Sequence, residues 1–203
     1  MTAGKDTDME RKTMLPAAER FVAGMRRAFA AGVEERARWE KCRELLKELI
    51  ADPELRRQAG TWPVGGFDGK KVDNLLFYQD SDYGFVMNAL IKNSGGRAMI
   101  HDHGPTWTIY GLVQGTERIV RYTARERAGG RFDITEAGAQ VCGPGDIDIV
   151  APGVIHSEYA GDEKSIAFIV RSQRSGTFEQ YRYLDDGSRV VFRGPNQVPF
   201  ELN

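Results

Sequence analysis

Residues 96–115, GRAMIHDHGPTWTIYGLVQG, and residues 143–156, GPGDIDIVAPGVIH, are the two stretches that decide how this chain folds. They contain all of its histidines, which are His101, His103 and His156. On a β-strand, side chains two residues apart point to the same face, so His101 and His103 would present two imidazoles side by side. The second stretch reads as a turn, a strand, a turn and a third imidazole where the next strand begins. We therefore predict that the folded chain brings the three imidazoles together around one metal ion.

The composition is that of a globular protein with a small-molecule partner. A chain of 203 residues is long enough for one substantial core. Lys and Arg total 28 against 29 Asp and Glu, and the net charge of -1 favours neither nucleic acid nor a membrane surface. We expect no nucleic-acid or membrane partner, and the sequence does not predict the oligomeric state.

Cysteine usage and hydropathy both favour a cytoplasmic location. Cys42 and Cys142 lie far apart and form no CxxC motif, as expected for reduced thiols. No run of about 18 apolar residues occurs, so we expect neither a signal peptide nor a membrane span.

Three segments follow one another along the chain. Residues 1–14 are polar and are predicted to be a disordered tail. Residues 15–60 carry helical periodicity and form a predicted N-terminal helical segment. Residues 61–203 contain about twelve short β-branched or aromatic runs between Gly, Pro and Asp turns, which is typical of an antiparallel jelly roll. The HxH pair falls in a predicted strand over 97–103, and another strand is predicted to begin just after His156, over 157–160.

The two quoted stretches resemble the cupin superfamily and, within it, the type I cysteine dioxygenase-like thiol dioxygenases, whose first half-motif also reads I-HDH. The resemblance covers roughly residues 61–200 and implies an all-β cupin jelly-roll barrel. By position, His101, His103 and His156 match that family's three iron ligands. The resemblance implies Fe(II), with another divalent transition metal as the alternative. It also implies a dioxygenase that uses O2 to oxygenate a small anionic, thiol-carboxylate-like substrate.

The usual cupin has a carboxylate ligand on the strand after the HxH pair. At the corresponding positions this chain has Trp107 and Thr108. The predicted site therefore consists of three neutral imidazoles, which leave the metal charge uncompensated and favour an anionic bidentate substrate. Three protein ligands also leave coordination positions open for substrate and O2.

Other positions depart from the thiol dioxygenase pattern. The Ser-x-His-x-Tyr triad of that family falls on Ala167, Ile169 and Arg171, and its upstream substrate-binding arginine falls within residues 72–76, VDNLL. Thr108 stands in place of the crosslinking cysteine. These differences argue against cysteine itself as the substrate.

Arginine side chains are the candidates for binding a substrate carboxylate. If Arg171 faces inward with Ala167 and Ile169, its guanidinium could bind a carboxylate in a bidentate manner. Arg97 could do so from the rim, and an exposed surface position is the alternative for both.

Further candidates line the predicted cavity. Tyr110 shares its strand parity with Thr108 and is a candidate catalytic residue, while Trp107 and Thr108 are candidate pocket residues, although packing is the commoner use of such rings. Asp102 either orients a group behind the ligands or faces solvent at the rim, and we expect the second.

Two other functions remain open. A three-histidine cupin could instead cleave a carbon–carbon bond in a β-diketone. Alternatively, it could bind a small molecule through its metal without catalysis.

Overall fold

The computed structural model describes residues 14–64 and 73–203, and its N-terminal part is helical as predicted. The helices are α1 (Pro16–Ala30), α2 (Glu35–Ala51) and α3 (Pro53–Thr61). Asp52 separates the last two, and its carboxylate accepts two backbone N–H groups of the first turn of α3. The proline at the start of α3 fits there because it lacks a backbone N–H, and an N–H in the first turn would have no partner inside the helix.

The rest of the described chain consists of short strands in three sheets. A six-stranded sheet has the order β11-β1-β2-β8-β3-β6, a three-stranded sheet has the order β5-β4-β7, and β9 pairs with β10. The bounds are β1 (Asp73–Gln79), β2 (Val86–Lys92), β3 (Thr108–Gln114), β4 (Glu117–Arg127), β5 (Arg131–Cys142), β6 (Ile147–Val150), β7 (Ile155–Ala160), β8 (Ser165–Arg171), β9 (Gln180–Tyr183), β10 (Arg189–Phe192) and β11 (Asn196–Pro199).

Alternation along β8 shows how the six-stranded sheet separates two cores. Ile166, Phe168 and Val170 belong to the large core that also includes the buried residues of the helices. Ala167 and Ile169 belong instead to a smaller cluster with Tyr110, on the other face of the sheet. The helices therefore cover one face, and the other face forms the interior that contains the candidate site.

The predicted fold class is confirmed: the described chain is mostly β-sheet with N-terminal helices, in a jelly-roll arrangement. Hydrogen bonds do not join the sheets of the described residues into one closed barrel. No helix within 14–64 or 73–203 is long and apolar enough to cross a membrane.

Some predicted segments differ from the structure. Residues 97–103 form only isolated bridges, at Arg97 and His101, and not a regular strand. The strand predicted to begin after His156 begins at Ile155, so this histidine lies within β7. The strand β11 was not predicted; it pairs in parallel with β1.

The predicted tail lies almost wholly outside the described residues. Its last residue, Met14, is described and packs, partly buried, against the large core. The backbone N–H of Leu15 donates to the carbonyl oxygen of Leu202 at 2.9 Å, which joins the start of the helical segment to the end of the chain.

Candidate metal centre

The three histidines meet at one end of the interior. The Nε2 atoms of His101 and His103 are 3.1 Å apart, and one ligand nitrogen from each of the three rings lies within 4.8 Å of the others. Two backbone hydrogen bonds of 2.9 Å, exchanged between His101 and His156, place the third imidazole opposite the HxH pair. The predicted meeting of the three side chains is thus observed.

Backbone carbonyls set the tautomers of two of the rings. Nδ1 of His101 contacts the carbonyl oxygen of Met99 at 2.8 Å, and Nδ1 of His156 contacts that of Val154 at 3.2 Å. A carbonyl only accepts hydrogen bonds, so each Nδ1 carries the proton and donates. Nε2 of each ring is then the nitrogen left to bind a metal, which is how metal-binding histidines are commonly oriented.

The donor set fits a divalent transition metal. Imidazole nitrogens bind such ions at about 2.1 Å, so two ligands at right angles are about 3.0 Å apart. The observed separation of the His101 and His103 Nε2 atoms is 3.1 Å. Because imidazole suits iron, zinc, copper and nickel, the nitrogens do not select among these metals.

Burial keeps two of the rings neutral. Burial lowers the pKa of His101 to about 4. It also lowers the pKa of His103 well below the ordinary value, assisted by the charge of Arg171. Neutral imidazoles are the form that binds metal, so these rings are competent ligands near pH 7.

A carboxylate that sequence reasoning missed lies beside the histidines. Glu158 is buried, and its Oε1 is 3.1 Å from Nε2 of His156. The sequence predicted three imidazole ligands and did not place this carboxylate beside them. Had β7 been predicted to begin at Ile155, strand alternation would have placed His156 and Glu158 on one face.

Arg171 enters the site from the end of β8. Its side chain is buried; Nη1 donates to Ser175 Oγ at 3.3 Å, and Nη2 is 3.4 Å from Nε2 of His103. Its Nε has no hydrogen-bond partner among the described residues, and neither of its other two contacts is to a carboxylate. Burial lowers the pKa of Arg171 to about 10, although the charge of Glu158 raises it, so the guanidinium remains charged at neutral pH.

The other inward-facing candidates have different surroundings. Thr108 is fully buried, pairs in register with Arg171, and its hydroxyl has no hydrogen-bond partner among the described residues. The hydroxyl of Tyr110 donates to Glu117 at 2.8 Å and accepts from Lys92 at 2.9 Å. This hydroxyl is therefore engaged in a buried ion-pair network and makes no hydrogen bond to the histidines.

Two predicted pocket residues lie elsewhere. The Trp107 ring stacks on Trp39 of α2 with centroids 6.4 Å apart, and it packs against the large core on the helical side. Arg97 is exposed and bridges to Tyr159 through the backbone. Trp107 packs outward because its side chain fills the contact between helices and sheet, and Arg97 stays in solvent because its chain segment lies at the surface.

Asp102 was predicted to face solvent, but in the structure it is buried. Its Oδ1 accepts from the backbone N–H groups of Gly104, at 2.8 Å, and Tyr181, at 3.1 Å. Its Oδ2 accepts from the hydroxyl of Tyr183 at 3.2 Å. The residue between the two histidines thus ties their segment to β9.

Comparisons with known proteins give structural similarity only. No protein-family model and no curated protein sequence matches the chain. The similar solved structures include the Schizosaccharomyces pombe Cnp3 cupin domain, with 12% identity, a TM-score of 0.39 and coverage of 50% of this chain and 64% of that chain. The DMSP lyase DddQ from Ruegeria pomeroyi has 13% identity, a TM-score of 0.42 and coverage of 60% and 56%. A recombinant oxalate oxidase in complex with glycolate has 15% identity, a TM-score of 0.36 and coverage of 44% and 42%. The chain spans less than two thirds of the length of each of these proteins.

Proposed function

We propose that this chain is a metal-dependent enzyme that acts on a small organic anion. His101, His103 and His156 hold the metal, and Arg171 binds the anion next to it. The observation that carries the proposal is the buried Arg171 guanidinium, which lies 3.4 Å from Nε2 of His103 and whose hydrogen bonds go to no carboxylate among the described residues. Because a buried guanidinium that is not hydrogen-bonded to a carboxylate is costly, an anionic ligand is its natural complement.

The site residues have separate roles in this proposal. The two backbone carbonyls orient His101 and His156 so that their Nε2 atoms face the metal. Arg171 fixes the substrate carboxylate through its planar N–H groups, which orients the reacting end of the substrate toward the histidines. Thr108, in register with Arg171, lines the same part of the interior.

For the specific reaction we propose an Fe(II)-dependent dioxygenase, as the sequence resemblance implies. Iron(II), when bound by the histidines, would supply redox chemistry and open coordination positions for substrate and O2. In the thiol reaction, both atoms of O2 are added to the sulfur of R–SH, which becomes the sulfinic acid R–SO2H. The missing triad and upstream arginine argue for a thiol acid other than cysteine.

Oxygen consumption by the iron-loaded protein tests this function. Steady uptake with a mercapto acid and formation of its sulfinate are the expected results. Uptake only with β-diketones would favour carbon–carbon cleavage, whereas thermal stabilisation by ligands without O2 uptake would favour a binding protein. Either outcome overturns the thiol dioxygenase proposal.

Replacing the anion-binding side chain tests substrate recognition. Arg171→Met should weaken substrate binding by at least about tenfold, since a charge-assisted hydrogen bond contributes roughly 1.5–3 kcal/mol. Arg174→Met is the matched control because Arg174 lies three residues away and contacts Gln79 at 3.3 Å. Substrate affinity is measured anaerobically from the iron spectrum. Equal affinities in the two variants would contradict the role of Arg171.

A further inference from the structure

A second feature of the interior extends the metal site beyond the three histidines. Glu158 follows His156 by two residues on β7, so both side chains point into the interior. The carboxylate is thus supplied from the strand of the third histidine. It does not come from the strand after the HxH pair, where the sequence has no acidic residue.

We propose that Glu158 is a fourth protein ligand of this metal, an inference that rests on the metal site of the proposed function. Its Oε1 and Nε2 of His156 are 3.1 Å apart, the same separation as the Nε2 atoms of His101 and His103. Two ligand atoms about 2.1 Å from one ion and at right angles to each other lie about 3.0 Å apart. The Glu158 contact therefore has the length of one edge of a coordination sphere.

The protons available to His156 support ligation over a simple hydrogen bond. Its Nδ1 already donates to the carbonyl oxygen of Val154. A neutral imidazole has only one N–H, so Nε2 and the carboxylate oxygen then face each other as two acceptors. A cation between them removes this conflict without requiring a buried imidazolium.

The second oxygen of the carboxylate provides an independent observation. Oε2 of Glu158 is buried and has no hydrogen-bond partner among the described residues. A buried carboxylate oxygen without a donor is costly, and coordination of a metal is one of the few ways to satisfy it. With Glu158 bound, a divalent ion and its protein ligands carry a net charge of about +1, which a monoanionic substrate would neutralise.

Cobalt(II) binding tests the proposal without relying on activity. The wild-type chain should bind one Co(II) with a defined visible absorption spectrum. Glu158→Gln should weaken Co(II) affinity at least about tenfold and change that spectrum, because a charged ligand is replaced by a neutral amide. Glu158→Asp keeps the charge on a shorter side chain and should give an intermediate affinity.

The matched control is Asp148→Asn. Asp148 is another buried interior carboxylate, paired with Arg121 at 2.6 Å, so this variant removes a nearby charge without removing the proposed ligand. It should keep the wild-type spectrum. If Glu158→Gln does not fold, as judged by circular dichroism, the altered spectrum expected for Glu158→Asp decides. Unchanged Co(II) affinity and spectrum in the folded Glu158 variants would overturn this proposal alone, whereas failure of the wild-type chain to bind Co(II) would overturn the metal site itself.

Discussion

His101 and His156 share one local arrangement, although they are 55 positions apart in the sequence. In each case Nδ1 donates to the carbonyl oxygen two residues earlier, in Met99 and in Val154. An extended backbone places the imidazole of residue i near that carbonyl, and the orientation of the metal-facing nitrogen follows from chain geometry. Sequence spacing was therefore enough to predict that the three histidine side chains lie close together.

Glu158 and Asp102 show what the sequence spacing left out. Glu158 was missed because the start of β7 was placed after His156, which hid the shared face of the two residues. Asp102 was expected in solvent because a residue between two inward-facing histidines should point outward. Its burial depends on β9, whose residue Tyr181 is 79 positions away, and local sequence carries no sign of that contact.

The lowered pKa of His101 makes the stability of the metal-free protein depend on pH. His101 has a pKa of about 4 in the folded protein against 6.5 as the ordinary value. Below pH 6.5 the unfolded chain therefore binds more protons than the folded chain. The contribution of His101 is fully present above pH 6.5 and is lost as pH falls toward about 4.

Urea denaturation of chelator-treated protein measures this effect. The free energy of unfolding should fall between pH 6.5 and about 4, and His101→Gln should reduce the slope within this window. Carboxylates that titrate in the same range are common to both proteins, so the comparison isolates the histidine. Identical slopes would contradict the lowered pKa of His101.

Among the structural elements, the β9–β10 hairpin is held against the HxH segment by Asp102. This carboxylate accepts two backbone N–H groups and one tyrosine hydroxyl. Asp102→Ala should leave these donors unsatisfied and destabilise the fold by about 1–3 kcal/mol. Hydrogen exchange of the Tyr181 amide should become faster than in the wild-type chain. Asp185→Ala, at an exposed position beside the same hairpin, is the control; equal exchange in both variants would contradict the anchoring role.

Helix α2 packs closely against strand β3 at Gly111. A Cβ atom added there would lie 3.1 Å from Ile50 Cδ1 and 3.2 Å from Leu46 Cδ2. Gly111→Val should therefore overpack this contact and cost about 1–3 kcal/mol, as measured by urea denaturation. Gly138→Val is the control on β5, since nothing lies within 4 Å of an added Cβ there. A larger loss of stability in the control would show that the helix is not packed tightly on the sheet.

For the whole molecule, the sequence predicted the N-terminal helices and the β-sheets that follow them. Helical periodicity and Gly or Pro turns depend only on neighbouring residues, so they can be recognised in a single sequence. The pairing of strands far apart in the chain is not a local property, and β11, which pairs in parallel with β1, was missed for that reason. The outward packing of Trp107 on Trp39 likewise depends on how the helices meet the sheet.

Metal content is the most direct test of the three-histidine centre. The protein is loaded with a divalent transition metal, desalted and analysed for metal per chain, alongside His156→Ala. We expect one metal ion per wild-type chain and loss of most of it in the variant, because one of three imidazole ligands is removed. Full metal content in a folded His156→Ala protein, or no bound metal in the wild-type protein, would contradict the account.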